Sequence, residues 1–319
     1  MGTIRDNTKK VSVIIPTYNR EMFISNAIRS VINQNHQNIE IIVVDDGSTD
    51  DTAQVVHLFK KKYPQILYYQ NERNKGPSGA RNTGIIHSAG DYLTFLDSDD
   101  IWLDGQLAYG LKILDEHPEI DVLFGNFQVV DFNTGEHQYN FFDRKEILHR
   151  LKSIPIASHI RLLDDNIFQA LIQENFVHFG SLIMKNLSKT RILLDEFLIY
   201  AEDRDFAIRL YKDCNAKFAF REDPVFVLHR HDSNLNSSGD INVLHQILLS
   251  HIHLFSNYLR KYSLTIDEKI ILRKDICKKL VNLSYIHWVN KQPKQSLSYA
   301  FKSFKHFISL MHLRAMQII

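Results

Sequence analysis

The first hundred residues alternate between short apolar runs and segments whose apolar residues recur with helical spacing. The apolar runs, which the pattern predicts to be buried strands, are 11–15, 39–44, 66–69 and 92–96. The segments between them, which it predicts to be helices, are 21–33, 52–62 and 80–88. Continuous apolar strands separated by helices of about ten residues are typical of βαβ units. The chain is therefore predicted to form an α/β fold with a Rossmann-like, mostly parallel sheet flanked by helices.

After residue 105 the pattern is looser, and near the C-terminus it becomes helical. We expect a helix over 106–116, a strand over 122–130, helices and loops over 143–175, a short strand at 182–184, a helix over 203–212 and a strand over 224–228. From about residue 241 onward the apolar spacing is almost wholly helical, with a break near 291–293. The predicted parts are therefore 1–105, 106–239 and a C-terminal helical extension over 240–319.

The net charge of +1 conceals an uneven distribution. Residues 240–319 carry twelve Lys and Arg against four Asp and Glu, which leaves −7 for residues 1–239. A basic segment beside an acidic body suggests an anionic partner surface, either a membrane or a nucleic acid. No recognised nucleic-acid-binding motif accompanies the charge, so no nucleic-acid partner is expected.

The sequence also predicts a cellular compartment. Two cysteines without a CxxC spacing favour a reducing environment. The polar N-terminal residues do not resemble a signal peptide, and no apolar run reaches the length of a membrane-spanning helix. We expect a cytoplasmic protein, either free or peripheral on the inner face of the cell membrane.

Residues 297–319 predict an amphipathic helix. Its apolar face comprises Leu297, Phe301, Phe304, Phe307, Ile308, Met311 and Ala315, and basic residues lie largely away from it. Such a face packs on the domain core, packs on a second subunit in a homodimer, or lies in the interface of an anionic membrane. The sequence leaves these alternatives open.

The segment Asp97-Ser98-Asp99 directly follows the fourth predicted strand. A D-x-D element alone is weak evidence, because a solvated turn has the same composition. Its position favours a site, because parallel sheets bind ligands at the carboxyl ends of their strands. A hard cation such as Mg²⁺ or Mn²⁺ takes one or two carboxylates together with substrate phosphate oxygens. The turn is therefore a candidate metal site.

Two further segments lie at strand ends or helix starts. Asp45 and Asp46 follow the second predicted strand, where they could cap the next helix or accept hydrogen bonds from a base or ribose. The loop 71–82 is glycine-rich and precedes a helix, with Lys75 and Arg81 beside it. A helix N-terminus with two cations favours an anion such as a diphosphate, although a flexible basic connection would have the same composition.

The remaining candidates lie in the second half of the chain. Glu202 and Asp203 open a predicted helix, where acids are favoured by the macrodipole, and either could also act as a general base. A single base opposite the leaving group implies direct displacement and hence inversion. His229 and His231 could contact phosphate, support a metal or lie on the surface, and one H-x-H is a poor zinc signal.

Five motifs occur in the order of one known family. They are VSVIIPTYNR, IIVVDDGSTD, NKGPSGARNTG, GDYLTFLDSDDIW and AEDRDFAIRL. Over roughly residues 11–235 the chain resembles the family 2 glycosyltransferases with a GT-A fold. The resemblance implies inverting transfer of a sugar from a nucleotide-sugar, a UDP-linked one, to a hydroxyl acceptor in a surface polysaccharide or lipid-linked oligosaccharide. It also implies that 1–105 binds the donor and that 106–239 binds the acceptor and supplies the base.

The resemblance implies a role for each candidate residue. The nucleotide-sugar-binding residues would be Pro16, Thr17, Tyr18, Asp45, Asp46, Lys75, Arg81, Asp97, Ser98, His229 and His231. Asp99 would ligate Mn²⁺ or Mg²⁺, and Asp203 would be the catalytic base with Glu202 beside it. Two other functions stay open: a catalytically idle subunit that binds nucleotide-sugars, and a nucleotidyltransferase that releases pyrophosphate.

Overall fold

The structure is a computed structural model that describes residues 9–164, 166–186, 192–231 and 240–318. In its first part, strands β1 (Val11–Thr17), β2 (Ile39–Asp45), β3 (Ile66–Gln70) and β4 (Tyr92–Phe95) alternate with helices α1 (Ile24–Ile32), α2 (Thr52–Lys62) and α3 (Pro77–His87). The four strands lie in the order β3-β2-β1-β4 and all pair in parallel. The predicted strands and helices of this part are confirmed.

The second part extends the same sheet. Its elements are β5 (Ile101–Trp102), α4 (Gln106–Glu116), β6 (Val122–Asp131), β7 (His137–Asn140), α5 (Glu146–Arg150), β8 (Ser153–Ala157), β9 (Ile160–Leu163), α6 (Ile167–Gln173), β10 (Ile183–Lys185), α7 (Glu202–Cys214) and β11 (Phe218–Arg230). The sheet continues from β4 as β10-β6-β11-β9-β8, with β5 on β11 and β7 on β6. Because β10 pairs antiparallel with both β4 and β6, it joins the two parts in one sheet of eleven strands.

Two sequence predictions in this part are wrong in detail. Segment 143–175 was expected to hold helices and loops, but it also holds β8 and β9 at the sheet edge. Strand β8 is half exposed and contains Pro155, so it lacks the apolar run that marks a buried strand. Strand β11 is much longer than the predicted 224–228, because Glu222, Asp223 and Pro224 interrupt its apolar sequence where the pairing with β6 shifts register.

The core lies on both faces of the sheet. Consecutive residues of the central strands point to opposite faces, so that Ile14 and Ile15 of β1 belong to different apolar clusters. Helices α1, α2 and α4 cover one face, and α3, α6 and α7 cover the other. The carboxyl ends of β1, β2 and β4 are thereby left as an open edge between the two layers.

Three long helices complete the described chain: α8 (Ile241–Lys261), α9 (Ile266–Val289) and α10 (Pro293–Ile318). Phe255 and Tyr258 of α8, with Leu272 and Ile276 of α9, join the core cluster that contains α6 and α7. The Tyr258 hydroxyl donates a hydrogen bond to the buried Asp205 of α7, at 2.8 Å. Among the described residues, no helix is both long enough and apolar enough to cross a membrane.

Helix α10 orients its predicted apolar face away from the protein. Leu297, Phe301, Phe304, Phe307, Ile308, Met311 and Ala315 are all exposed. The helix packs on α9 through a different side, where Ser296, Ser303 and Leu310 are buried. Of the three alternatives that the sequence leaves open, packing of this face on the domain core is therefore not what the structure has. Two serines and Leu310 are buried against the protein, and the side chains of the predicted apolar face remain exposed.

Candidate active site

The carboxyl ends of β1 and β2 form one side of the site. Thr17 and Asp45 are register partners at the last step of the parallel pairing, and the Asp46 N–H donates to the Thr17 carbonyl at 2.9 Å. Pro16 and Thr17 are buried, and no described group bonds the Thr17 hydroxyl. Tyr18, the next residue, is 42% exposed. The chain therefore emerges at this edge with one aromatic ring facing solvent.

The two adjacent carboxylates of this edge have different surroundings. Asp45 is buried, and it accepts hydrogen bonds from the backbone N–H groups of Gly47 and Ser48 and from the Tyr68 hydroxyl. Its carboxylate holds the turn after β2. Asp46 is only half-buried and accepts bonds from the loop over 71–76 instead. Asp45 and Asp46 are both predicted to bind the donor, and of these two carboxylates Asp46 is the one that borders the open edge.

The glycine-rich loop is held against Asp46. The Asp46 carboxylate accepts from the Asn71 amide at 2.6 Å and from the Gly76 N–H at 2.8 Å. The loop also approaches α3 closely, since a Cβ on Gly79 would lie 1.9 Å from the Asn74 carbonyl oxygen. At its tip, the Lys75 ammonium lies 4.4 Å from the centre of the Tyr18 ring. The structure thus brings Tyr18, Asp46 and Lys75 together.

Arg81 joins the two acidic segments of the chain. It is 3% exposed on α3, and its guanidinium donates to Asp97 at 2.6 Å and to Glu202 at 3.3 Å. Its plane lies over the Phe179 ring, 4.4 Å from the centre. Burial would lower the pKa of Arg81, but the charges of Asp97 and Glu202 outweigh it and raise the pKa. Carboxylates about a hundred residues apart in sequence therefore share one buried cation.

Glu202 and Asp203 open α7, and their surroundings differ. Burial and the neighbouring Asp203 charge raise the pKa of Glu202 to about 7, although Arg81 opposes the shift. Asp203 accepts from the Asn175 amide at 2.9 Å and from the Arg204 N–H at 2.7 Å. It also lies at the N-terminus of the helix, where the macrodipole stabilises a carboxylate. Asp203 is therefore positioned by neutral donors, and Glu202 by a cation.

We expect Glu202→Gln to raise the free energy of unfolding by about 1–3 kcal/mol at pH 8 and to change it little at pH 4. The folded pKa of about 7 lies above the ordinary value of 4.5. The native state therefore holds the proton more tightly than the unfolded state, and ionisation of Glu202 costs stability progressively as the pH rises from about 4.5 to 7. Glutamine cannot ionise and avoids that cost.

Urea unfolding at a series of pH values measures this difference. Glu116→Gln makes the same change at an exposed position of α4 and is the matched control, with no pH-dependent effect expected. A Glu202→Gln effect of the same size at every pH would contradict the raised pKa.

The D-x-D turn after β4 contacts the end of β11. Asp99 pairs with the His231 ring at 3.1 Å and with Arg20 at 3.4 Å. Burial raises the pKa of Asp99, but these partners outweigh it, so that the pKa is lowered. The buried Asp100 accepts the His229 N–H at 3.0 Å, and burial with the Asp99 and Asp97 charges raises its pKa well above the usual range. The structure therefore places His229 and His231 at the D-x-D turn.

The metal-ligating side chains at this turn fit a divalent cation that also binds the substrate. Among the described residues, no group of three or more His, Cys, Asp or Glu side chains could hold a metal alone. Asp99 and His231 nevertheless present one carboxylate oxygen and one imidazole nitrogen 3.1 Å apart. Mg²⁺ and Mn²⁺ accept such a partial set when phosphate oxygens and water complete the coordination. Ser98, the middle residue of the turn, is buried.

Several residues at the site were not predicted from the sequence. They are Arg20 at Asp99, Asn71 at Asp46, Asn175 at Asp203, Phe179 under Arg81, and His178. The His178 ring stacks on Phe226, and its Nδ1 accepts the Gly180 N–H at 3.2 Å. Burial lowers the pKa of His178 more than the nearby charges of Asp97 and Asp203 raise it. His178 thus lies near carboxylates of both acidic segments.

Comparison with known sequences identifies relatives of the chain. The family model for glycosyl transferase family 2 matches residues 12–171, which is half of the chain. An uncharacterized glycosyltransferase of Rickettsia bellii is 35% identical over 208 residues, covering 57% of this chain and 29% of that protein. The Escherichia coli protein WfgD, named a UDP-Glc:alpha-D-GlcNAc-diphosphoundecaprenol beta-1,3-glucosyltransferase, is 38% identical over 39% of this chain and 48% of its own. The matched region thus spans less than half of the length of these relatives.

Comparison with solved structures covers nearly the whole chain. The mannosyltransferase PcManGT of Pyrobaculum calidifontis, solved in complex with GDP-Man and Mn²⁺, superposes with a TM-score of 0.58 over 99% of this chain and 83% of that one. The two sequences are 18% identical, so the likeness shows the fold. It confirms the predicted α/β fold of the GT-A type with a C-terminal helical extension.

Proposed function

The chain belongs to glycosyl transferase family 2, and we propose that it transfers a sugar from a UDP-linked nucleotide-sugar to a hydroxyl group, with inversion at the sugar carbon. The acceptor is a lipid-linked oligosaccharide or a growing surface polysaccharide. The lipid-linked acceptor in the name of WfgD supports this choice, and so does its UDP-linked donor. The observation that carries the proposal is the meeting of Asp97 and Glu202 on the buried Arg81, because it brings the D-x-D turn, to which we assign the donor, beside the start of α7, to which we assign the base.

The donor binds along the open edge of the sheet. The nucleotide base lies between the exposed Tyr18 ring and the Asp46 carboxylate, which are contacted by the adjacent loop residues Lys75 and Gly76. The diphosphate lies near Lys75, Arg81 and the start of α3, where a cation and the helix N-terminus attract an anion. Asp97 orients the ribose or the transferred sugar. Asp45 contributes by holding the turn in place.

Asp99 and His231 hold Mn²⁺ or Mg²⁺ together with the donor diphosphate, and His229 supports the turn. Such a cation offsets the charge that builds on the diphosphate leaving group. Asp99 pairs with His231 and Arg20, and these two side chains lower the pKa of the carboxyl and orient it. The PcManGT complex with Mn²⁺ supports a divalent cation in this fold.

Asp203 takes the proton of the acceptor hydroxyl as that oxygen attacks the sugar carbon. The bond from the sugar carbon to the diphosphate breaks, and the nucleoside diphosphate leaves with the bonding electron pair. The Asn175 amide and the start of α7 fix the Asp203 carboxylate for this step. Attack on the face opposite the leaving group gives inversion. Glu202, which shares Arg81 with Asp97, links the base to the donor side of the site.

We expect one nucleotide-sugar in a panel of UDP- and GDP-linked sugars to raise the melting temperature clearly, and to do so more strongly with Mn²⁺ present. A ligand at 100 times its Kd adds about 2.7 kcal/mol to the free energy of unfolding, because it binds the native state alone. Differential scanning fluorimetry measures the shift. The matched control is the free sugar, which lacks the nucleotide.

The released product then separates the proposal from its rivals. Free nucleoside diphosphate supports glycosyl transfer, whereas pyrophosphate would identify a nucleotidyltransferase. A panel in which no nucleotide-sugar stabilises the protein would contradict the proposal. Stabilisation without turnover on any hydroxyl acceptor, lipid-linked acceptors included, would favour a catalytically idle binding subunit.

A further inference from the structure

The last two helices expose a continuous apolar surface. We define the α9–α10 face by Tyr285 and Trp288 of α9 and by Phe301, Phe304, Phe307 and Met311 of α10. Each of these side chains is about half or more exposed, and Tyr285 reaches 68%. A groove between the helices, lined by Val281 on one side and by Phe304 and Phe307 on the other, makes the surface continuous.

The packing of α10 explains why this face is uncovered. Small polar residues make its closest polar contacts with α9: the Ser284 hydroxyl donates to the Ser296 carbonyl at 2.9 Å, and the Ser303 hydroxyl donates to the Cys277 carbonyl at 3.2 Å. On the same side Leu310 is buried, and the Tyr299 ring stacks on His287 of α9 with 5.2 Å between the ring centres. The phenylalanines therefore lie on the neighbouring side of α10, and the fold supplies no described element to cover them.

The charge around the face identifies its partner. Residues 276–319 contain seven Lys and Arg and not one Asp or Glu. On a helix with about 3.6 residues per turn, Lys294 and Lys305 border the apolar side of α10. The Lys305 ammonium lies 5.0 Å from the centre of the Phe301 ring. An apolar strip bordered by lysines is the arrangement that lets a helix lie in a membrane interface, with lysines at the headgroups.

We propose that the α9–α10 face docks on an anionic lipid bilayer. The aromatic side chains enter the interface, where Trp and Tyr are favoured, and the lysines meet the acidic headgroups. A second copy of the chain fits less well, because a symmetric dimer through this face would oppose two segments that carry only positive charge. The inference uses no step of the transfer reaction, and it would hold the proposed active site close to a lipid-linked acceptor.

Vesicle flotation of the full chain tests the proposal directly. We expect the protein to float with phosphatidylcholine vesicles that contain about 30% phosphatidylglycerol, to float weakly with pure phosphatidylcholine, and to be released in part by high salt. Phe301→Ser/Phe304→Ser/Phe307→Ser should reduce partitioning at least about 100-fold, because three apolar side chains are removed from the interface. Lys294→Gln/Lys305→Gln should reduce it about tenfold or more on the anionic vesicles alone.

Matched controls lie on α2, on the body of the protein. Leu58→Ser removes an exposed apolar side chain, and Lys60→Gln/Lys61→Gln removes two exposed lysines, and neither should change flotation. The lysine pair decides the question independently if the serine variant unfolds at a lower temperature.

Three results would overturn the proposal. One is an absence of flotation with anionic vesicles, and another is flotation that the serine and lysine variants leave unchanged. The third is a dimer in analytical ultracentrifugation that the serine variant dissociates, because a second copy would then cover the face. None of these measurements involves sugar transfer, so a failure here is distinct from a failure of the proposed function.

Discussion

Replacing Asp203 by asparagine is expected to lower kcat by about 10³-fold while the affinity for the nucleotide-sugar stays within about twofold of the unaltered protein. Asparagine has nearly the same shape as aspartate, and its carbonyl oxygen can accept from the Asn175 amide as the carboxylate does. It cannot take a proton from the acceptor hydroxyl. The loss should therefore fall on the chemical step. Steady-state kinetics with the donor and acceptor measures kcat, and fluorimetry with the donor measures binding.

Two companion variants sharpen the test. Asp213→Asn makes the same change near the other end of α7, where the carboxylate pairs with Lys261, and it should leave kcat within about twofold. Glu202→Gln separates the neighbouring carboxylates, and we expect a smaller fall in kcat than for Asp203→Asn. Activity that survives in Asp203→Asn with donor binding intact would contradict the assignment of the base. A larger fall in Glu202→Gln would transfer that role to Glu202.

The first part of the fold was accessible to sequence reasoning because its local signals agree with its tertiary environment. Strands β1, β2 and β4 are buried on both faces, so each appears as a mostly apolar run, with Ser12, Glu40 and Thr94 as buried polar exceptions. Helices α2 and α4 begin and end at the residues that their apolar spacing predicts. The parallel order then places Thr17, Asp45 and Asp97 at one edge without further information.

Edge strands gave weaker signals for a physical reason. A strand such as β8, at the margin of the sheet, buries few side chains, and its sequence is not constrained to alternate or to be apolar. In β11 the apolar run is interrupted near Pro224, where the pairing with β6 shifts register. The hydrogen bonds to β6 nevertheless continue on both sides of the shift, so the strand is a single element. Pairing between distant segments stabilises both strands, and a local pattern does not record it.

The candidate site likewise has features that the sequence predicts and features that it does not. The D-x-D turn could be predicted because it directly follows a buried strand. The partners of its carboxylates could not, since Arg20 and His231 reach Asp99 from segments that adjoin it only in the folded chain. The difference between Asp45 and Asp46 has a similar origin. Which of two adjacent carboxylates holds the turn depends on the last step of the β1–β2 register and on Tyr68 of the next strand.

The uncovered face of α10 shows the limit of a helical periodicity. The spacing of its phenylalanines predicted an apolar face correctly, but periodicity does not specify what covers that face. The contact with α9 includes Ser296 and Ser303, which carry no hydrophobic signal. A close contact between helices through small side chains therefore left the most apolar side of α10 exposed.

Asp99→Asn is expected to abolish the metal-dependent part of donor binding. In the unaltered protein, Mn²⁺ should lower the Kd of the nucleotide-sugar by about 100-fold, because the cation links the Asp99 carboxylate to the diphosphate. An amide is a weaker ligand for a hard cation and carries no charge. The variant should therefore bind the donor with the same weak Kd whether Mn²⁺ or a chelator is present. Isothermal titration calorimetry in the two conditions measures both constants.

The comparison with Asp104→Asn distinguishes a ligand from a general loss of negative charge. Asp104 is an exposed acid shortly after the same turn. Its replacement should preserve the full gain in nucleotide-sugar affinity that Mn²⁺ provides. His231→Asn provides a second check, because the imidazole nitrogen lies 3.1 Å from the Asp99 carboxylate and should share the cation. It should reduce this gain in donor affinity from about 100-fold to about 10-fold, because the Asp99 carboxylate still attracts the ion. If Asp99→Asn retains the gain, the ligand is a different carboxylate, and Asp97 is then the candidate, because among the described residues its carboxylate pairs with Arg81 alone.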